Sequence, residues 1–222
     1  MAQVPSNGSG RPPIESVVQQ MSLPAGLAGP EPMISDVRCY VVAQPQGIVV
    51  IDTGMPDAAG AIADAVLTLG GSFADVRDIV LTHLHMDHVG SLFALAEQAP
   101  LASIHAGGQD APDIRAPRKV QLLEEGDSIQ DLLVFSTPGH TAGHVSIFHE
   151  ASGTLFIGDA AATDRGEVIR SPALFTSNAP RAEASLERIA ELAPGRILFA
   201  HGAEVPSPAA ALVRLVGGPY GG

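Results

Sequence analysis

The 222-residue chain carries 24 acidic against 12 basic side chains, a net charge of −12, and 45% of its residues are apolar. That apolar content suffices for the core of one large domain, and the charge opposes a nucleic-acid backbone as partner, because phosphate binding needs a basic track. No apolar run approaches the ~18 residues of a membrane-spanning helix, and the lone cysteine, Cys39, excludes an intrachain disulfide.

Residues 1–13, "MAQVPSNGSGRPP", lack the apolar stretch of a secretory signal and read as a flexible tail rich in Gly, Pro and Ser. A single domain is expected over residues 14–222, in a reducing cytoplasm. "IESVVQQMSL", "DVRCYVVAQ" and "GIVVID" read as successive strands. "PDAAGAIADAVLTLGG" reads as a helix, with Ile62, Val66 and Leu69 on one face and Gly70-Gly71 ending it. "RDIVLTH" is a strand, "GSLFALAEQAP" a short helix, and "LASIHA", "RKVQLL", "DLLVFSTPG", "HVSIFHE" and "GTLFIGD" are further strands. "APRAEASLERIAELAPG" is amphipathic, presenting Ala182, Leu186, Ile189 and Ala190 on one face, and the strand "RILFAHG" and helix "SPAAALVRLVG" follow. The alternation of strands and helices indicates an α/β fold.

Four of these apolar runs end in metal-capable side chains: His83 and His85, then His140, Asp159 and His201. Ligands in α/β folds collect at strand ends, where loops converge on a rigid sheet. Within "THLHMDHVG", His83 and His85 share a face of an extended segment, and Asp87 and His88 follow on a turn that can reach a second ion. His140 can complete a three-histidine set, His201 can join Asp87 and His88, and Asp159, with two oxygens, can bridge. Buried together without metal, these groups would form a costly polar cluster. Imidazole and carboxylate donors suit zinc, iron, manganese or cobalt, and three protein ligands per ion leave a position open for water, as in catalytic sites. His105 and His149 read as ordinary polar residues and His144 as a supporting one.

The ordered set "VVIDTG", "THLHMDHVG", "TPGHTAGH", "FIGDA" and "FAHG" resembles the metallo-β-lactamase-fold hydrolases over roughly residues 15–215. The resemblance implies a four-layer αββα sandwich with a two-metal site at one edge of the paired sheets. It implies His83, His85 and His140 on one ion, Asp87, His88 and His201 on the other, and Asp159 bridging them. Two divalent ions are expected, zinc first, with iron or manganese as alternatives. True zinc β-lactamases usually carry Cys or Ser at the bridging position, so Asp159 favours the glyoxalase II-like and lactonase-like branch. The chain stops soon after His201, which disfavours glutathione thioesters, whose hydrolases add a helical domain there. The expected reaction is hydrolysis of an ester, thioester, lactone or related acyl bond in a small molecule, by a metal-bridging hydroxide. Asp87 is the catalytic residue that binds metal and orients the nucleophile or passes a proton. A β-lactam-hydrolysing enzyme of the same fold and a mononuclear-iron persulfide dioxygenase using His83, His140 and Asp159 are the alternatives. No membrane or nucleic-acid partner is expected, and the oligomeric state is open.

Asp52, in "VVIDTGM", is expected either to orient the ligands or to serve as a turn aspartate before Gly54. The pocket mouth is expected near Met55 and across residues 161–180, with Arg165, Arg170 and Asn178 as candidate substrate contacts.

Overall fold

A computed structural model describes residues 12–26 and 30–218. The expected tail therefore lies outside the described residues except for Pro12 and Pro13, which lead directly into the first strand. One sheet holds six strands in chain order: β1 (Ile14–Leu23), β2 (Met33–Gln44), β3 (Gly47–Ile51), β4 (Val76–Leu81), β5 (Ser103–Gly107) and β6 (Val120–Leu123). The first three pair antiparallel and β3 to β6 pair parallel. Parallel neighbours need crossovers. These are α1 (Ala59–Thr68) between β3 and β4, then the short α2 (Met86–Val89) and α3 (Leu92–Gln98) between β4 and β5.

The second sheet contains β7 (Ser128–Ile129), β8 (Leu132–Ser136), β9 (Val145–His149) and β10 (Thr154–Gly158). A separate hairpin follows, β11 (Ala161–Asp164) with β12 (Glu167–Arg170), and then α4 (Ala179–Glu191), β13 (Arg196–Phe199) and α5 (Pro208–Gly217). The spatial order is β13-β10-β9-β8-β7, with β13 parallel to β10.

The period-2 alternation of strand side chains divides these residues into three cores. Val42, Val49, Val80, Phe156 and Leu198 pack in the layer between the sheets. Their chain neighbours Val41, Val50, Ile79 and Leu81 face the other way, against Ile62 and Val66 of α1 and Leu92 and Leu95 of α3. Leu155, Ile157, Ile197 and Phe199 pack against Leu186 and Ile189 of α4 and Leu212 of α5. Helix, sheet, sheet, helix is the resulting layer order, the αββα sandwich of the metallo-β-lactamase fold. Both faces of each sheet are covered, which is why the strands read as nearly continuous apolar runs rather than alternating ones. At ~1.5–3 kcal/mol per buried large aliphatic side chain, these three layers are the main stabilising term.

Two features depart from expectation. Residues 161–180, expected at the pocket mouth and given no strand by the sequence, contain the β11–β12 hairpin, whose turn places Arg165 at φ 48° and Gly166 at φ 84°. Two successive positive φ values suit the right-handed twist of a tight hairpin. The two-residue β7 also had no sequence signal. Among the described residues, no helix is long and apolar enough to cross a membrane.

Candidate metal centre

The strand directions gather the expected donors at one edge. β3 and β4 run parallel and end at Asp52 and at Thr82-His83, while β8, β10 and β13 share one direction and lead to His140, Asp159 and His201. His85 occupies the position just before α2, which carries Asp87 and His88. Donor atoms fall into three overlapping groups, His83–His85–His140, His83–His88–Asp159 and Asp87–His88–His201, each with its atoms within 4.8 Å of one another. All seven expected side chains are thus brought together. His105 instead meets Asp78 at 2.9 Å and His149 meets Ser152 at 2.7 Å, both away from the cluster.

His85 Nδ1 lies 3.1 Å from His83 Nε2 and 3.0 Å from His140 Nε2. Ligand nitrogens at ~2.0–2.1 Å from a tetrahedral zinc would stand about 3.3 Å apart, so the histidine trio has close to a coordinating spacing. His88 Nε2 and Asp159 Oδ1, both buried, have no hydrogen-bond partner and face each other at 3.4 Å. Buried polar atoms without partners are costly, and a cation between them would satisfy both.

Hydrogen bonds at the far side of three rings, His83, His88 and His201, set which nitrogen faces the centre. His88 Nδ1 donates to Asp52 Oδ2 at 2.9 Å, and His201 Nδ1 donates to the Asp36 carbonyl at 2.7 Å. His83 Nδ1 meets Thr82 Oγ1 at 3.1 Å, and that hydroxyl donates to Asp52 at 2.8 Å. In each case the Nε2 lone pair is left pointing inward, the tautomer a metal ligand needs. Asp52 therefore holds one histidine directly and a second through Thr82. Its φ of 60° lies in the left-handed region, just past the end of β3.

His144 is not a donor to the cluster. Its Nε2 accepts the Asp159 backbone N–H at 2.9 Å, so Nδ1 carries the proton and donates to Thr137 Oγ1 at 2.8 Å. Thr137 passes to Ser146 at 3.0 Å and Ser146 to the Ile157 carbonyl at 3.0 Å. This one-way chain fixes the backbone that presents Asp159. Gly158, at φ 58°, makes room for it, since a Cβ there would sit 2.7 Å from His144 Nε2.

Burial depresses the basicity of His83 and His85 and takes His140 down to about 4 and His144 to about 3. Burial pulls on His88 and His201 too, but the carboxylates of Asp159 and, respectively, Asp52 and Asp87 prevail, raising them to about 9 and about 11. Asp159 is held well below the ordinary carboxylate range: burial opposes its charge, and His201 and His88 override that.

Sequence reading missed Asp110. Only 1% exposed, it accepts from Leu84 N at 3.2 Å, Thr141 Oγ1 at 2.6 Å and Gly143 N at 2.6 Å. It thereby ties the His83–His85 loop to the His140 loop, and no local pattern around "GGQDAPD" signals this. Two of the expected substrate contacts are engaged elsewhere. A cavity beside His140 and Asp159 is lined by residues of 170–186, part of the expected rim. Asn178 caps α4, accepting from Arg181 N at 3.0 Å, and the Arg165 side chain is 90% exposed on Asp164. Arg170 does line the cavity, but in a two-point pair with Glu183.

The profile of the metallo-beta-lactamase superfamily matches residues 34–201. YobT of Bacillus subtilis (strain 168) is 31% identical over 207 residues, covering 80% of this chain and 88% of its own length. The probable metallo-hydrolase YflN of the same organism is 30% identical over 202 residues, covering 72% and 76%. A hydroxyacylglutathione hydrolase of Gloeothece citriformis is 32% identical over 139 residues, 58% of this chain and about half (51%) of that relative. A metallo-beta-lactamase family protein of Thermus thermophilus superposes with TM-score 0.68 at 20% identity, covering 91% of this chain and 78% of that one. TTHA1623, solved in a di-iron-bound form, superposes with TM-score 0.65 at 26% identity, covering 87% and 96%. With its sandwich, its strand-end donors and a profile match over most of its length, this chain belongs to the metallo-beta-lactamase superfamily.

Proposed function

We propose that this metallo-hydrolase-family chain cleaves small acyl substrates, namely esters, thioesters or lactones, with two divalent ions. His83, His85 and His140 would hold one ion, Asp87, His88 and His201 the other, and Asp159 would bridge. The observation that carries the reading is the pair of unpartnered buried atoms, His88 Nε2 and Asp159 Oδ1, inside three overlapping donor groups. The chemistry such ions supply is Lewis acidity, which polarises a carbonyl and lowers the pKa of water from about 15.7 toward about 7. Asp52, bonded to His88 directly and to His83 through Thr82, would fix which nitrogen of each ring faces the centre and keep it aimed. Asp87, with 16% of its side chain exposed and Oδ2 3.4 Å from His201 Nε2, is the carboxylate placed to orient attacking water or move a proton to the leaving group. The all-nitrogen and oxygen donor set supports zinc, with iron or manganese next, and the di-iron form of a similar structure keeps iron in view. A single-iron dioxygenase would use His83, His140 and Asp159 alone and leave Asp87, His88 and His201 gathered without a role. Cys39 is buried, which pushes its thiol well above the ordinary range, and it fits a reducing cytoplasm.

The test is elemental analysis joined to a parallel screen of aryl esters, lactones, thioesters and β-lactams, with and without chelator. Two ions per chain and chelator-sensitive acyl hydrolysis are expected. One iron per chain with oxygen uptake would establish the dioxygenase instead, and a β-lactam leading in kcat/KM would overturn the substrate ranking.

A further inference from the structure

The cavity of about 280 Å³ beside His140 and Asp159 runs along the first turns of α4. At about 30 Å³ per water-sized group, it has room for roughly nine such groups. Ala160, Ala173, Ala179 and Leu186 make its wall small and apolar. Its one cationic and one acidic side chain beyond His140 and Asp159 neutralise each other. Arg170 Nε and Nη2 each donate to Glu183 at 2.7 Å, and Nη2 also donates to the Leu215 carbonyl at 2.8 Å. The hydroxyls of the wall are engaged as well: Ser171 donates to the Asp159 carbonyl at 2.5 Å and Thr176 to the Pro172 carbonyl at 3.0 Å.

This wall is fastened to the His140 loop. Ser177 N donates to the His140 carbonyl and Asn178 N to the Gly139 carbonyl, both at 2.9 Å, and Ser185 Oγ donates to the Pro138 carbonyl at 2.7 Å. Gly139 (φ 139°) lies so near α4 that a Cβ would stand 2.1 Å from Ala182 N. A group seated in the cavity is therefore held at a fixed offset from His140 and Asp159.

We propose that this cavity receives the acyl arm of the substrate, and that the arm is compact, uncharged and largely apolar. The inference rests on the hydrolase reading and specifies its substrate. An anionic arm would face Glu183 or displace it from Arg170, and either leaves a half-buried charge uncompensated. A cationic arm meets the same problem at Arg170, and a polar neutral arm finds the wall hydroxyls already donating.

The test uses the metal-loaded protein and aryl esters with one leaving group: acetate, butyrate and hemisuccinate. Pentanamide and its anionic counterpart glutaramate serve as unreactive probes in calorimetry. Butyrate should exceed hemisuccinate at least about tenfold in kcat/KM, and pentanamide should bind where glutaramate does not. Ala179→Phe should lower butyrate turnover at least about tenfold more than acetate turnover and abolish pentanamide binding. Ala173→Phe repeats this should the first variant melt early. Glu183→Gln should narrow the butyrate-to-hemisuccinate ratio, because it removes the acidic side chain of the wall that an anionic arm would face. No turnover of any ester by a two-metal preparation would defeat the hydrolase reading and the acyl assignment with it. Turnover with hemisuccinate equal or preferred, or pentanamide binding untouched by both Phe variants, would defeat the cavity assignment alone.

Discussion

Asp110 offers the sharpest test of how the centre is held. Its two oxygens accept three hydrogen bonds, from Leu84 N, Thr141 Oγ1 and Gly143 N, on segments 26 to 33 residues away. Asp110→Ala strands the Gly143 N–H and the Thr141 hydroxyl in buried surroundings and leaves Leu84 N half-buried. Each stranded group costs ~1–3 kcal/mol. The expected loss is therefore about 3–5 kcal/mol, a large share of a typical stability of about 5–15 kcal/mol. Asp110→Asn keeps one acceptor but turns an NH2 toward a donor, so about 1–3 kcal/mol is expected. Urea unfolding of the chelator-treated protein measures both. Leu84 lies between His83 and His85, and Thr141 follows His140, so metal affinity should fall about 10–100-fold as well. Asp113→Ala, exposed three residues along, is the control that should change neither quantity. A loss under about 1 kcal/mol with unaltered metal affinity would refute the clamp.

Asp159→Ala should drop retained metal below two ions per chain in elemental analysis, because the Asp159 carboxylate lies 3.3 Å from His140 of one donor set and 3.3–3.4 Å from His201 and His88 of the other; two ions and full rate would reject the bridge. Asp52→Ala should instead weaken uptake at both sets through His88 and Thr82, while leaving the donors in place. Arg118 donates to the carbonyls of Ala96, Ala99 and Ala102 at 2.7–3.0 Å at the end of α3, so Arg118→Met should cost about 2 kcal/mol in denaturant unfolding. At Asp78, burial raises the carboxyl but hydrogen bonds from His105 and Gln130 prevail, and its pKa falls below 3.8. A depressed folded value means its contribution is complete above the unfolded pKa and lost as pH falls through the folded one. The stability difference between wild type and Asp78→Asn should thus be constant from about pH 7 to 5 and shrink below about pH 4; a difference that stays flat in acid would count against the pairing.

The strands were legible because both faces of each sheet are covered. Val41-Val42 and Val49-Val50 each send one side chain to the helix layer and one to the layer between sheets. The helix α4 was legible from its face, although Ala182 of that face serves the close approach to Gly139 rather than the main core. The β11–β12 hairpin was not legible. Its strands have four residues each, and Arg165-Gly166 is not a strong hairpin-turn signature. The pairing of the two sheets came from the ordered motifs and their family resemblance, since periodicity says which face is buried but not against what.

The candidate ligands were legible for a chemical reason. Only a few side-chain types can hold a metal, and here they interrupt apolar strands at their ends, so type and place point the same way. The groups that support them lack that constraint. Asp110 is one of 24 acidic residues and is distinguished only by partners that the fold brings to it. The cavity wall shows the same limit more severely. Arg170 in the sequence is a cation on the expected rim and a candidate substrate contact. In the structure Arg170, at the end of β12, reaches α4, where Glu183, thirteen residues on, pairs with it. One pairing across two elements thus changes what that cation can offer a ligand. On the proposed acyl-hydrolase reading, substrate preference would follow from such pairings, so the candidate metal ligands are read from the motifs while the proposed acyl arm has to be read from the wall.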